Sequence, residues 1–268
     1  MKFSLLSWNV EKFKGSTQQL KKVAQYIGDH GPDVFGLFEV ENLNIIALIT
    51  TQLPEYDYHL TDGPENKEIL VGVRRGKFAQ TIFSQKREFK VYNPYLRPGA
   101  LLSVQIDGDF TNMLFLHTDS GTEAGDFGNR QDMFEKIWSL KKALDSSSPA
   151  RLIILGDLNT MGMQFPTRRK SDRRVTEEEE IAGLEEFARK RDMALLTKEF
   201  DETFNNGKLI SNLDHILATD NLSFKEQGQT DGAPFQVKVT GWNQLTGSKR
   251  KTFIETISDH SLLFCEIE

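Results

Sequence analysis

The sequence predicts an α/β protein in which two sheets pack together with helices on the outside. Three observations predict it: many short apolar runs with strand character, few segments with helical spacing, and no Pro/Gly/Ser-rich linker or internal repeat to divide the chain. At 268 residues the chain sits near the upper end for one domain, about 250 residues, and we expect a single domain over residues 1–268. Its 38% apolar and 10% aromatic content, with 19 Phe, supplies a substantial core.

Residues 3–10 read as a strand, followed by a loop at Gly15. Thr17 begins a helix whose Leu20, Val23, Ala24 and Ile27 fall at helical spacing, ending by residues 28–31. Pro32 leads into a second apolar run, 33–38, which ends at Glu39. Asn42 is placed to cap a helix over 43–53, stopped by Pro54. Strands are expected at 69–73, 80–83, 100–106 and 112–117. A helix over 126–144 carries Phe127, Phe134, Ile137, Trp138 and Leu140, and the apolar run from Arg151 follows it. Thr176 with Glu179 makes a capping box that opens a helix to Arg191. Short strands near 214–218, 235–239 and 261–267 complete the chain, and the polar stretch 164–180 reads as a surface insertion.

The net charge of −6, with a pI near 5.5, gives no global attraction to nucleic acid or to an anionic membrane. It leaves room for an enzyme that meets phosphates through a bound cation. The single cysteine, Cys265, lies in an apolar run and reads as a buried structural thiol. Trp8, Asn9 and Glu11 cut the first apolar run too short for a signal peptide, and no run reaches the roughly 18 apolar residues of a membrane span. The expectation is a soluble cytoplasmic protein without membrane or protein partners.

Five apolar runs end in residues with metal or phosphate chemistry. The first carries Asn9, the second ends at Glu39, the third at His117, and the fourth gives Asp157 and Asn159. The last run begins just after Ser258-Asp259-His260. In an extended backbone Asp157 and Asn159, two apart, point the same way. Singly each residue has a plainer explanation: a turn cap, an Asx turn, a solvated Glu, a core histidine. Their repetition at strand ends favours one site. Glu39, Asp157 and Asp259, with amide oxygens from Asn9 and Asn159, are hard oxygen ligands suited to Mg²⁺, Mn²⁺ or Ca²⁺, and no Cys/His cluster favours zinc. Two histidines beside them can move protons near neutral pH. A hard cation with imidazole and carboxylate fits attack of water on a phosphate ester.

At Ser7-Trp8-Asn9, Phe38-Glu39-Val40, Leu116-His117, Gly156-Asp157-Leu158-Asn159, Leu213-Asp214-His215-Ile216 and Ser258-Asp259-His260, the chain resembles the endonuclease/exonuclease/phosphatase superfamily over nearly its whole length. The resemblance implies a four-layer α/β/β/α sandwich of two packed mixed sheets with outer helices, and a site at one end of the sheets. It makes Glu39 the principal metal ligand, assisted by Asn9 and Asp259. It has Asp157 position or activate the nucleophile, Asn159 bind a phosphate oxygen, and His260 act as general base or transition-state stabiliser, with Asp214 holding its imidazole.

Three more positions resemble the deoxyribonuclease-type branch: His117 as a second catalytic histidine, Glu68 as its partner, and Arg97 as a contact to substrate phosphate. Other branches fit less well. The Pro-x-Trp-Cys-Asp-Arg segment of inositol polyphosphate phosphatases is replaced by Ile210-Ser211-Asn212-Leu213-Asp214-His215, and the Trp-rich segment of abasic-site endonucleases by Phe204-Asn205-Asn206-Gly207-Lys208. The expected activity is divalent-metal-dependent phosphodiester hydrolysis of nucleic acid, the alternative being a phosphomonoesterase on a sugar or inositol phosphate. Arg168, Arg169, Lys170, Arg173 and Arg174, like Lys249-Arg250-Lys251, either track a nucleic-acid backbone or form solvated charge balanced by Glu177 to Glu180.

Overall fold

The computed structural model describes residues 2–42, 44–63, 67–146, 148–164 and 174–268. The first apolar run forms β1 (Phe3–Phe13), and β2 (Val34–Val40) lies parallel to it. Parallel neighbours need a crossover, here α1 (Thr17–His30). Ser16 caps this helix by accepting from the Gln19 N–H, Gly31 ends it in the left-handed conformation, and Leu20, Val23, Ala24 and Ile27 form its buried stripe. The helix expected over 43–53 is shorter, α2 (Ile45–Thr50). Asn42 does not cap it, because its Oδ1 is taken by the Asn44 N–H in an Asx turn while its amide donates to the Lys14 carbonyl. The alternating Tyr-Asp-Tyr-His-Leu run adds β3 (Tyr56–Leu60), an edge strand outside the expected set, paired with β4 (Glu68–Arg74).

A second sheet starts with β5 (Thr81–Lys86), β6 (Gly99–Ile106) and β7 (Asp109–Phe115). Helix α3 (Ala124–Leu144) carries the chain over to β8 (Arg151–Asp157), parallel to β7. The Thr176–Glu179 capping box opens α4 (Glu177–Arg189), followed by β9 (Met193–Leu195). A short hairpin, β10 (Phe204–Asn205) with β11 (Ile210–Ser211), precedes β12 (Asp214–Thr219). The strand expected over 235–239 is two strands. β14 (Ala233–Phe235) pairs with β13 (Gly228–Thr230), whereas β15 (Lys238–Thr240) joins the first sheet. Between them the N–H groups of Gln236 and Val237 both turn to the Thr197 carbonyl, which breaks the ladder. Helix α5 (Gly247–Thr256), not expected from the sequence, contains the basic run 249–251 and leads to β16 (Leu262–Ile267).

The first sheet has the order β15-β16-β1-β2-β4-β3 and the second β5-β6-β7-β8-β12-β9. Each is built on one parallel pair flanked by antiparallel strands. Both sheets are covered on both faces, which explains their near-continuous apolar runs. Val71, Leu102, Phe115, Leu155, Ile216 and Cys265 belong to the core between the sheets. Leu6, Trp8, Phe35 and Leu37 pack with α1, α2 and Phe253 of α5, while Leu114, Leu152, Ile154 and Leu217 pack with α3 and α4. These three apolar layers make the four-layer α/β/β/α sandwich. Among the described residues, no helix is long and apolar enough to cross a membrane.

Side-chain alternation positions the site. Phe3 and Leu5 of β1, Met113 and Phe115 of β7, and Ile153 and Leu155 of β8 are alternate residues of the inter-sheet core. The next alternate positions along these rows lead to Asn9, His117 and Asp157, all buried. Asp214 likewise stands one step beyond Ile216 and Ala218. Apolar rows thus turn polar at one end of the sandwich.

Cys265 is fully buried in the inter-sheet core, and burial pushes its thiol well above the ordinary range. The folded protein is therefore expected to resist Ellman's reagent at pH 8 and to release one thiol equivalent per chain only in denaturant. Rapid labelling without denaturant would contradict this burial.

Candidate active site

The backbone is strained where the polar ends meet. Of eight non-glycine residues at positive φ among the described residues, Glu11, Lys12, Glu39 and Asn159 belong to this end of the sandwich. Between Asn9 and Phe13 the β1–β2 register shifts, so a bulge holds Glu11 and Lys12 in the left-handed region. The bulge brings the Glu11 N–H onto Asn9 Oδ1 (3.0 Å) and the Lys12 N–H onto Glu39 Oε2 (3.2 Å).

Asp157 is the centre of the arrangement. Its Oδ2 accepts from Asn9 Nδ2 at 2.9 Å and lies 3.5 Å from His117 Nε2 and 3.7 Å from His260 Nε2. Its Oδ1 accepts from the Asn159 N–H at 3.1 Å. The two alternatives for this motif, an Asx turn or a polar site, are therefore both realised by one carboxylate. The expected extended backbone is corrected: Asn159 has φ +44°, and its Nδ2 donates to the Thr118 carbonyl at 3.2 Å.

His260 Nδ1–H donates to Asp214 Oδ2 at 2.7 Å, both groups being buried. Ser258 fixes this corner: its Oγ accepts from the His260 N–H at 2.9 Å and donates to the Asn9 carbonyl at 2.6 Å. Trp8 Nε1 donates to the His260 carbonyl at 2.9 Å, and the Phe204 ring lies against the imidazole, centroids 5.0 Å apart. Asp214 is held by its own N–H on Thr203 Oγ1, and half-buried Lys198 donates to its carbonyl at 2.8 Å. Ser258 and Trp8 lie inside the quoted motifs. Thr118, Lys198, Thr203 and Phe204 carry no sequence signal of a role here.

The two histidines are driven in opposite directions. Burial disfavours the charged form of His260, but Asp214, Asp157 and Asp259 outweigh it and raise its pKa to about 10. Burial lowers His117 well below the ordinary histidine value, and the positive charges of Arg97, His260 and Lys67 push the same way. One imidazole is thus cationic and the other neutral at physiological pH, a separation that marks acid/base division of labour. Burial raises Asp157 to about 7, against the attraction of His260, and raises Asp259 to about 6, with Glu11 and Glu39 adding repulsion.

Glu39 and Asp259 form the rim. Their side chains are 18% and 17% exposed, which leaves carboxylate oxygens open to an incoming cation. Glu39 Oε1 is 4.0 Å from His117 Nε2, and Asp259 Oδ1 is 3.9 Å from His260 Nε2. Two carboxylates that repel each other at a partly open rim suit a hard divalent cation. A second grouping, Asp157, Asp214 and His260, has ligand atoms within 4.8 Å of one another. Within it, His260 Nδ1 and Asp214 Oδ2 are taken by their mutual hydrogen bond, which leaves His260 Nε2 and the other Asp214 oxygen as the atoms free to face a ligand.

Glu68 is not brought onto His117. Thr61 Oγ1 and the Gly63 N–H hold its buried carboxylate instead, and His117 Nδ1 has no hydrogen-bond partner among the described residues. Arg97 is buried, with 8% of its surface exposed; its Nε also lacks a partner among the described residues, and its charge acts on His117. Among the described residues no carboxylate pairs with it, and a buried guanidinium is costly unless an anion completes it. Arg168, Arg169, Lys170 and Arg173 lie outside the described residues.

The model of the family described as Endonuclease/Exonuclease/phosphatase family matches residues 6–260. Truncated Caenorhabditis elegans TDP2 superposes with a TM-score of 0.67 at 17% identity, covering 100% of this chain and 97% of that one. D. rerio TDP2 complexed with single strand DNA product gives 0.65 at 15% identity, covering 100% and 99%. A Bacteroides thetaiotaomicron mannosyl-6-phosphatase gives 0.66 at 18% identity, covering 99% of each chain. At these identities the likeness shows the fold. Among curated proteins no sequence matches significantly.

Proposed function

The chain belongs to the endonuclease/exonuclease/phosphatase family, whose fold is that of phosphoesterases, and from that premise we propose that it is a divalent-metal-dependent phosphodiester hydrolase acting on nucleic acid. The observation that carries the reading is the buried His260–Asp214 pair set 3.7 Å from Asp157, beside a neutral His117.

Asp214 fixes the imidazole of His260 and sustains its charge, so the Nε2–H is available to oxygens that gain negative charge in the transition state. Asp157, oriented by Asn9, takes the proton of the attacking water, whose oxygen bonds to phosphorus as the scissile P–O bond breaks. His117, whose Nε2 lies 3.5 Å from Asp157, passes the proton that Asp157 has taken up on to the leaving oxygen and so returns to its neutral form. Asn159 and Arg97 bind non-bridging phosphate oxygens, the guanidinium using its fork of donors. Glu39, with Asn9 and Asp259, would hold Mg²⁺ or Mn²⁺, which supplies charge neutralisation at phosphate oxygens. Glu68 is assigned only a supporting place beneath the loop at Gly63.

A nucleic-acid substrate accords with the DNA-bound D. rerio TDP2 among the structural neighbours, and a sugar phosphate with the mannosyl-6-phosphatase. A panel with Mg²⁺ and Mn²⁺ separates the two: single-stranded DNA, RNA, abasic duplex, bis-p-nitrophenyl phosphate, p-nitrophenyl phosphate and mannose 6-phosphate. We expect turnover of diesters, abolished by EDTA. Turnover confined to monoesters would replace this reading with the phosphatase one.

Arg97→Ala is expected to lower kcat/KM for a diester by roughly 10- to 100-fold, the worth of a charge-assisted hydrogen bond. Arg97→Lys should restore part of it, whereas an unchanged kcat/KM in Arg97→Ala would remove Arg97 from the site.

A further inference from the structure

The largest buried charged group outside the reacting cluster is Arg130 of α3, with no exposed surface. Its Nε donates to Glu180 Oε1 at 2.9 Å and its Nη2 to Glu180 Oε2 at 3.0 Å. The remaining donors leave the pair: Nη2 reaches the Gly162 carbonyl at 2.7 Å, and Nη1 the carbonyls of Gly121 (2.7 Å) and Asp119 (3.5 Å). Glu180 Oε2 also accepts from the Gly162 N–H at 2.7 Å. One planar ion pair therefore grips both sides of the Gly162 peptide region and the 119–121 loop.

Both gripped segments lead directly into the site. Thr118 precedes the 119–121 loop, donates its N–H to the Asp157 carbonyl and accepts Asn159 Nδ2 on its own carbonyl. Gly162 ends the turn that starts at Asp157, in which the Met161 N–H closes on the Asn159 carbonyl at 2.6 Å. Asn159 sits at positive φ within that turn, a conformation that asparagine adopts more readily than other non-glycine residues and that sets where its side chain points. Gly162, at φ +72°, has no room for a Cβ, which would lie 2.4 Å from the Val175 carbonyl. The turn is tethered by Asp157 at its start and by the ion pair at its end.

A fully buried ion pair is a weak source of stability compared with apolar residues of similar volume. What apolar residues cannot supply is the set of hydrogen bonds to three carbonyls and one N–H. We propose, resting on the phosphate-binding role given to Asn159 above, that Arg130 and Glu180 are positioning residues which hold the Asp157–Gly162 turn and the Thr118 loop in the geometry that presents Asn159 to substrate.

The test uses the full chain carrying Arg130→Met with Glu180→Leu, and separately Arg130→Lys, which keeps one charge on Glu180 but cannot span the carbonyls. Each is assayed on bis-p-nitrophenyl phosphate with and without Asn159→Ala. We expect kcat/KM to fall roughly 10- to 100-fold, the cost of a misplacement on the order of 1 Å, measured well below the melting temperature of the double variant, which the carbonyls and N–H left unpaired will lower. Asn159→Ala should then cost little in either background, because its contribution is already lost. Full activity in the folded variants, or additive losses with Asn159→Ala, would overturn the proposal. If the double variant does not fold, Arg130→Lys decides by the same criteria.

Amide hydrogen exchange at Thr118, Met161 and Gly162, measured without substrate, distinguishes the two claims. Faster exchange in the variants supports the tether even if the wild type hydrolyses no phosphate ester. Unchanged exchange overturns the tether whatever the substrate.

Discussion

Replacing His260 by alanine is expected to lower turnover of a phosphodiester by about 10²- to 10⁴-fold, the usual contribution of a positioned acid–base group, with KM changing far less. Apart from the Phe204 ring the imidazole is held by polar groups, so circular dichroism should report an intact fold. The loss has two parts: the Nε2–H that would meet developing negative charge, and the positive charge that keeps Asp157 ionisable in a buried position. Asp214→Asn provides a pH signature. Asp214 is the foremost of the carboxylates that raise His260 to about 10. Removing that charge leaves only Asp157 and Asp259 to oppose burial, so the imidazolium loses its proton at lower pH. The required cation disappears as pH rises through its pKa, so the alkaline fall in kcat must move to lower pH. A His260→Ala enzyme at near-wild-type rate, or an Asp214→Asn profile unmoved on the alkaline side, would remove the pair from the mechanism.

Gly156→Ala should be among the most destabilising single substitutions in the chain, by about 2–6 kcal/mol from backbone strain and overpacking together. Gly156 has φ +149°, and a Cβ there would lie 2.0 Å from the Leu116 carbonyl oxygen and 2.8 Å from Phe38 Cζ. The first contact is backbone, one residue past the end of the neighbouring parallel strand, and cannot rotate away. The second comes from the facing sheet, so relief requires the two sheets to part. Urea denaturation gives the measurement, and a loss under about 1 kcal/mol would mean that the β7–β8 junction yields more readily than its geometry implies.

Much of this architecture is legible in the residues themselves. Gly156 and Asp157 are informative because only a glycine fits the close approach and because a carboxylate at the end of a buried strand has to be used. The pairing of Asp214 with His260 follows from family resemblance alone, since 46 residues separate them and no periodicity links them. Other features have no local signal. Helix α5 buries Phe253 in an otherwise polar, basic stretch, so its pattern resembles a loop. The break of 235–239 into two strands depends on the Thr197 carbonyl, far away in sequence. Glu68 has the right residue type at the right strand start, yet Thr61 and Gly63 claim its carboxylate. That Arg97 is buried, its Nε without a partner among the described residues, depends on tertiary packing, which a loop sequence of Leu-Arg-Pro does not encode.

The site is divided between the sheets. Asn9, Glu39, Asp259 and His260 come from the strands of one and their ends, and His117, Asp157, Asn159 and Asp214 from those of the other. The distances that matter for chemistry are thus distances between two slabs, fixed by side chains such as Val71 and Leu102 that never meet a substrate. A methyl group lost deep in that layer changes alignment at the mouth, so catalytic rate reads out interior packing. Selection on turnover would then act on the hidden aliphatic layer as strictly as on the histidines.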